Sequence, residues 1–400
     1  MSVSHTAVAV VGASTAGLVT ALGLARQGVE VSVLDTTPPP RLSWSAVHHW
    51  SVLPLLEQLG VLDEALVEGE ATARWGLRVL ATGERLEYDV RELGPDVKLP
   101  FNLRLEPAAL RAILRAALRA SPFAEVVEDV RVVGLGQDDT GAELTVHRAG
   151  AERRLRAHWV VGADGATSVV RRLAGLGFEG TTWTERCVIA LVRHDFAALD
   201  YPDTTFQVDG SLGAVVERVG DGRWRYLLQE SLSRDVDALD ERLSAVLRAV
   251  TGSEPEVLDV AMSRMHQRSA TSYRSGRVLL VGDAAHVTHP LSGYTPLTGW
   301  SDAVTLAPAL TSELRTGGRS AHTDEVLTRW AKRRRRHFLD DAAPASLGRR
   351  NLVAQIRDPR RLEVELAAFR RAVTDPSYRR QVLLGDRGAP TDGMPAALLF

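Results

Sequence analysis

Three short segments carry residues whose types and spacing suit phosphate and sugar binding. Gly12-Ala13-Ser14-Thr15-Ala16-Gly17 lies between an apolar run, Ala7 to Val11, and a stretch with Leu18, Ala21, Leu22 and Ala25 at helical spacing. At such a strand-to-helix corner the free backbone N–H groups and the helix dipole can receive a pyrophosphate. Gly12 suits the tight turn and Gly17 the close packing of helix on strand. Ser14 stands where the middle glycine of a dinucleotide fingerprint is usual and offers a hydroxyl to phosphate. Asp35, about 20 residues further on at the end of a second strand, is placed to accept from a ribose diol. The second segment is Val161-Gly162-Ala163-Asp164-Gly165, followed by Arg171; a plain Asp-Gly turn is its other reading. The third is Gly282-Asp283-Ala284-Ala285-His286, followed by Pro290 and Gly293. A carboxylate at the C-terminal edge of a parallel strand faces the crevice where open α/β sheets bind ligands.

Proton chemistry points to three histidines. His48 and His49 follow Arg41 and are flanked by Trp44 and Trp50, and His289 directly precedes Pro290. Imidazole titrates near neutrality and could act as a base; a hydrogen-bonded structural role at a loop-helix junction is the alternative. Trp44, Trp50 and Tyr294 are candidates for the wall of an aromatic substrate pocket, and Trp300 could join them; filling core is the alternative. No histidine-carboxylate spacing suggests a metal, and no Gly-x-Ser-x-Gly elbow suggests hydrolysis.

The elements that must position these groups are legible in part. Val29, Val31 and Val33 alternate into Asp35, giving a strand-helix-strand start to a parallel sheet. A helix begins at Glu106-Pro107 and carries Leu110, Ile113, Leu114, Ala117 and Leu118 on one stripe. Short strands over Val126 to Val133 and Leu144 to His147 read as a β-meander leading into Trp159 to Val161. From Cys187 to Gln229 the period becomes two, as in an antiparallel sheet. Leu243 to Val250 reads as helix, Val257 to Met265 as strand, and Val278 to Val281 as a buried parallel strand. From Glu325 onward the pattern is charged and helical, with Arg333 to Arg336 expected on a solvated face.

Taken together, in this order and at these separations, the three segments resemble the FAD-dependent aromatic hydroxylases typified by para-hydroxybenzoate hydroxylase. The similarity spans nearly the whole chain. It implies an α/β fold: a Rossmann-type FAD-binding module with a β-meander, from residues 1–71, 101–172 and 272–337. To this it adds an antiparallel substrate-binding sheet module, from 72–100 and 173–271, and a C-terminal helical segment, 338–400. It further implies that Gly12 to Gly17 hold the AMP half of FAD, that Asp35 binds its ribose with Arg41 beside it, and that Asp283 binds the ribityl chain. Arg104 matches another family arginine near the cofactor, and Asp164 matches an aspartate linked to nicotinamide-cofactor use. His286 is kept for packing.

The implied chemistry is reduction of FAD by NADH or NADPH, then oxygen transfer from a flavin C4a-hydroperoxide to a hydrophobic, aromatic small molecule. With a single dinucleotide fingerprint, the nicotinamide cofactor would bind transiently. One local departure stands out. Relatives carry a glycine-rich loop after the proline that sets backbone N–H groups against the flavin pyrimidine, whereas this chain reads Gly293-Tyr294-Thr295-Pro296-Leu297. If that position needs a positive φ, a β-branched threonine is strained there. A flavin dehydrogenase or reductase, and a redox-silent cyclase or binding protein on the same scaffold, remain open.

Composition narrows the partners. Lysine plus arginine (48) nearly cancels aspartate plus glutamate (50) over 400 residues, so no global field recruits nucleic acid or anionic lipid. The single cysteine, Cys187, cannot form an internal disulfide and reads as a small buried hydrophobe. The first residues lack a basic region and meet Gly12 early, so neither a signal peptide nor a membrane span is expected and the protein is placed in the cytoplasm.

Overall fold

The computed structural model describes residues 4–36, 42, 45–316, 321–354 and 358–384, excepting the side chains of residues 295, 321–323 and 359. Arg41 and Trp44 lie outside the described residues.

The strand Ser4–Val11 sits at the centre of a parallel array, with Val31–Asp35 on one side and Ala151–Gly162 on the other. Ala124–Glu128 extends the array beyond Val31–Asp35, and Val278–Leu280 extends it beyond Ala151–Gly162. Val8, Ala9 and Val10 are fully buried, which explains the unbroken apolar run: helices cover both faces of such a sheet. The strand Ala151–Gly162 serves twice. Its first half pairs antiparallel with Gly141–Arg148, and its second half pairs parallel with Ser4–Val11. The meander differs from the sequence expectation at one point. Val126 to Val133 is two strands, Ala124–Glu128 and Arg131–Asp138, broken at Asp129, whose φ of 59° turns the chain.

The second large sheet has eight strands. Its centre pairs Phe178–Arg193 with Glu256–Ala270 and Arg223–Ser231, all antiparallel, and Ala214–Gly220 and Thr204–Val208 follow. Arg74–Val79 then joins parallel to Thr204–Val208 and carries Arg85–Asp89 at the edge. A third sheet of three short strands, Val47–His48, Asn102–Arg104 and Glu70–Thr72, brings His48 and Arg104 together. Behind the second sheet, Phe369 of the helix Pro359–Thr374 stacks on Trp75 at 6.2 Å, and Arg370 bonds Glu84 at 2.6 Å. No helix among the described residues is long and apolar enough to cross a membrane.

Candidate functional site

At the first corner, the helix Thr15–Ala25 starts on Ser14, whose Oγ accepts from Gly17 N at 3.2 Å. Gly12 has a φ of 102°, and a Cβ there would lie 2.5 Å from the Ala163 carbonyl oxygen; a Cβ on Gly17 would lie 2.3 Å from the Gly12 oxygen. Gly12 is therefore demanded by backbone packing of the first segment on the second, and Gly17 by the tight turn of the first segment on itself. Asp35 is buried and accepts from Ala13 N at 3.3 Å, with the Arg115 guanidinium against it and that of Arg111 at 3.7 Å. These arginines, on the helix Pro107–Arg119, were not anticipated. Their signal was present as i and i+4 cations on the face that meets the end of the second strand.

Asp164 spends its carboxylate on the chain itself. It accepts from Ser168 Oγ at 2.5 Å, Val169 N at 2.7 Å and Val170 N at 3.1 Å, capping the short helix Val169–Leu173. Arg171 then ties the second segment to the third, donating to the Ala284 oxygen at 2.8 Å and the Ala166 oxygen at 2.7 Å.

In the third segment Gly282 adopts a φ of 58° and its N–H donates to Asp302 at 3.0 Å. Asp302 also meets His286 Nε2 at 2.6 Å and Arg334 Nε at 2.8 Å, all three side chains being buried. Burial alone would raise the Asp302 pKa, but His286 and Arg334 hold it below the usual carboxylate range. Arg334 corrects the expectation of a wholly solvated basic run. Helical periodicity turns one of the four arginines inward onto a buried carboxylate, while Arg333 and Arg336 stay exposed. Asp283 differs from Asp302. Its half-buried carboxylate makes no hydrogen bond among the described residues, and burial pushes its pKa up to about 6 against the pull of His286. A desolvated acceptor of this kind suits the hydroxyls of a bound sugar alcohol.

Gly293 to Leu297 is not a loop. The helix Tyr294–Arg315 begins immediately after Gly293, and the positive φ, 73°, falls on that glycine. Thr295 and Pro296 lie in the first turn, where proline costs no hydrogen bond, so the strain expected at Thr295 does not arise. Gly293 has no side chain to cap this terminus; Ser292 Oγ accepts from Tyr294 N at 3.3 Å, and the positive end of the helix dipole faces any acceptor placed beyond it.

Gly293, Pro296 and Leu297 also form one wall of a cleft of about 780 Å³, mouth included. Trp75, Tyr88 and Phe206 of the second sheet face them, with His48, His49 and Trp300 at the join and Glu217 and Arg349 as the charged groups of its lining. His48 Nε2 lies 3.0 Å from the Leu105 carbonyl, so that nitrogen carries the proton; burial lowers its pKa to about 4. His49 Nδ1 accepts from Ser51 N at 3.3 Å, and burial with Arg349 nearby lowers its pKa to about 3. Both are neutral at physiological pH.

Three expected site residues stand away from the cleft lining. His289 is fully buried, accepts from Leu291 N at 3.2 Å and packs edge-on against Trp183 at 4.9 Å. Trp50 belongs to the core under the second sheet, and Tyr294 is 2% exposed beneath the Arg349 guanidinium at 5.1 Å. Trp75, Tyr88, Phe206, Glu217 and Arg349 were missed. Each reads as an ordinary strand or helix residue, and only tertiary pairing brings them together.

Residues 5–338 match the family model described as an FAD binding domain. The chain is 35% identical over 354 residues to 6-hydroxy-3-succinoylpyridine 3-monooxygenase of Pseudomonas putida, covering 87% of this chain and 89% of that protein. It is 33% identical over 385 residues to para-nitrophenol 4-monooxygenase of a Pseudomonas species, covering 94% of each. The crystal structure of p-nitrophenol 4-monooxygenase from Pseudomonas putida superposes with a TM-score of 0.88 at 30% identity, covering 96% of this chain and 98% of that one. With likeness of this extent over nearly the whole chain, the chain belongs to the FAD-dependent aromatic monooxygenases.

Proposed function

We propose that this enzyme hydroxylates a small ring-hydroxylated aromatic compound in the cleft, using FAD, NADH or NADPH, and dioxygen. The observation that carries the reading is the cleft itself, lined by the aromatic side chains of Trp75, Tyr88 and Phe206 together with the helix start at Gly293, Pro296 and Leu297. Two relatives are named for oxygenating hydroxylated six-membered rings, which supports a substrate of that size and type.

In this reading the backbone of Gly12, Ser14, Thr15, Ala16 and Gly17 receives the pyrophosphate, Asp35 the ribose and Asp283 the ribityl hydroxyls, with Gly282 and Pro290 shaping the turns around them. Arg104, whose buried Nη1 has no hydrogen-bond partner among the described residues, offers one further donor. The helix terminus at Gly293, Thr295, Pro296 and Leu297 sits at the pyrimidine edge of the ring, where its dipole favours negative charge. Bound FAD would supply electron storage and oxygen activation. The protein excludes water with its aromatic walls and orients the ring with neutral His48 and His49. Asp164, committed to capping a helix, acts by shaping the turn beside the cofactor. A reducing cytoplasm, with reduced nicotinamide at hand, is the setting that a single buried thiol fits.

Purified protein should show flavin absorption bands and consume NADH or NADPH faster when para-nitrophenol or another simple phenol is added, with a hydroxylated product. Colourless protein that stays colourless with added FAD would overturn the reading.

A further inference from the structure

Glu217 is the one carboxylate in the described lining of the cleft, and nothing in the cofactor site uses it. It lies on the strand Ala214–Gly220 and is 5% exposed. Its Oε1 accepts from Ser45 Oγ at 2.7 Å, and Ser45 lines the same cleft. Across one strand pair it faces Arg225, with Nη1 to Oε2 at 3.5 Å, and across the other it faces Thr204. Arg225 in turn donates to Glu106 at 2.7 Å, and the Ala46 backbone also bonds Glu217.

We propose that Glu217, reached through the Ser45 hydroxyl, accepts the proton of the substrate's ring hydroxyl during oxygenation. This rests on the reading of the cleft as a phenol site. The step conserves charge. Ser45 passes its proton to the Glu217 carboxylate and takes one from the ring hydroxyl, so the negative charge moves from the carboxylate to the ring oxygen and makes the ring a better nucleophile. No net charge enters or leaves the cleft, and Arg225 remains next to one carboxyl group. The two cleft histidines are poorer candidates. His48 Nε2 is held as a donor, the His49 Nδ1 lone pair is already used, and both imidazoles resist protonation. Burial instead pushes the Glu217 pKa up, with Arg225 opposing, which makes its carboxylate the stronger base.

The test compares product formation by FAD-loaded wild type, Glu217→Gln and Ser45→Ala. One phenol is ionised at the assay pH and one is protonated. The glutamine variant should lose about a hundredfold on the protonated phenol and under about threefold on the phenolate, and Ser45→Ala should show the same pattern more weakly. In wild type the rate on the protonated phenol should rise with pH as Glu217 ionises. In Glu217→Gln only the limb due to the substrate's own ionisation should remain. Equal losses on both phenols, or none on either, would overturn the proposal while leaving the phenol reading intact. Wild type that oxygenates neither phenol would overturn both.

Discussion

The nucleotide end of the molecule and the cleft are built on different principles. At the nucleotide end the requirements are written in the backbone: a positive φ at Gly12 and Gly282, a helix beginning at Thr15, and a carboxylate at a strand end. Each is local, so a short run of sequence declares it. The cleft instead takes Ser45 and His48 from one segment, Trp75 and Tyr88 from a second, Phe206 and Glu217 from a third and Arg349 from a helix near the end. A site made of backbone turns tolerates few substitutions, whereas one made of side chains from separate strands can change its substrate while the fold persists.

The sharpest way to break that contrast is at the support behind the nucleotide end. Asp302→Leu leaves Arg334 buried without its carboxylate and deprives Gly282 N–H of an acceptor, and should cost about 3–5 kcal/mol. Urea unfolding would show it, and a loss under about 1 kcal/mol would mean that the buried triad relaxes freely. Gly12→Val comes next. The φ of 102° and the 2.5 Å approach of any Cβ to the Ala163 oxygen should cost about 1–3 kcal/mol in strain and empty the protein of flavin.

Asp283 gives a subtler outcome. In the free protein its pKa is about 6; hydroxyl donors from bound FAD favour the ionised form and lower it. FAD affinity should therefore be full above pH 6 and fall by up to about tenfold per pH unit below it. Asp283→Asn should flatten that dependence and weaken binding at neutral pH, as flavin fluorescence titration would report. An unchanged profile would remove Asp283 from the cofactor site.

The smallest effect belongs to the helix start. Thr295→Gly with Leu297→Asn would bring the sequence nearer to its relatives, yet the positive φ already sits on Gly293. FAD affinity should change less than about threefold, with up to about 1 kcal/mol lost to helix propensity. A large gain in affinity would mean that these side chains hold the flavin away.

Sequence and structure agree where the signal is short-range. Gly12, Gly17 and the Pro107 helix start could be read directly, because turn geometry and capping depend on a few neighbours. Arg334 could not be separated from Arg333 and Arg336 by charge alone, since only the helix phase relative to Asp302 turns it inward. Trp50 and Tyr294 failed as pocket residues for a related reason. Aromatic character predicts burial, and the choice between cleft and core is made by whatever packs above, here Arg349 over the Tyr294 ring. Glu217 carried no local mark at all, because its partners arrive from residue 45 and from the neighbouring strand.

The central claim is that this cleft delivers an atom of dioxygen to a ring-hydroxylated substrate. Turnover of FAD-loaded enzyme with NADH or NADPH and a simple phenol under isotopically labelled dioxygen tests it most directly, with the product analysed by mass spectrometry. The account requires one labelled oxygen atom in the new hydroxyl group. Flavin reduction with unlabelled product, or nicotinamide oxidation that yields only hydrogen peroxide with every phenol tried, would contradict it.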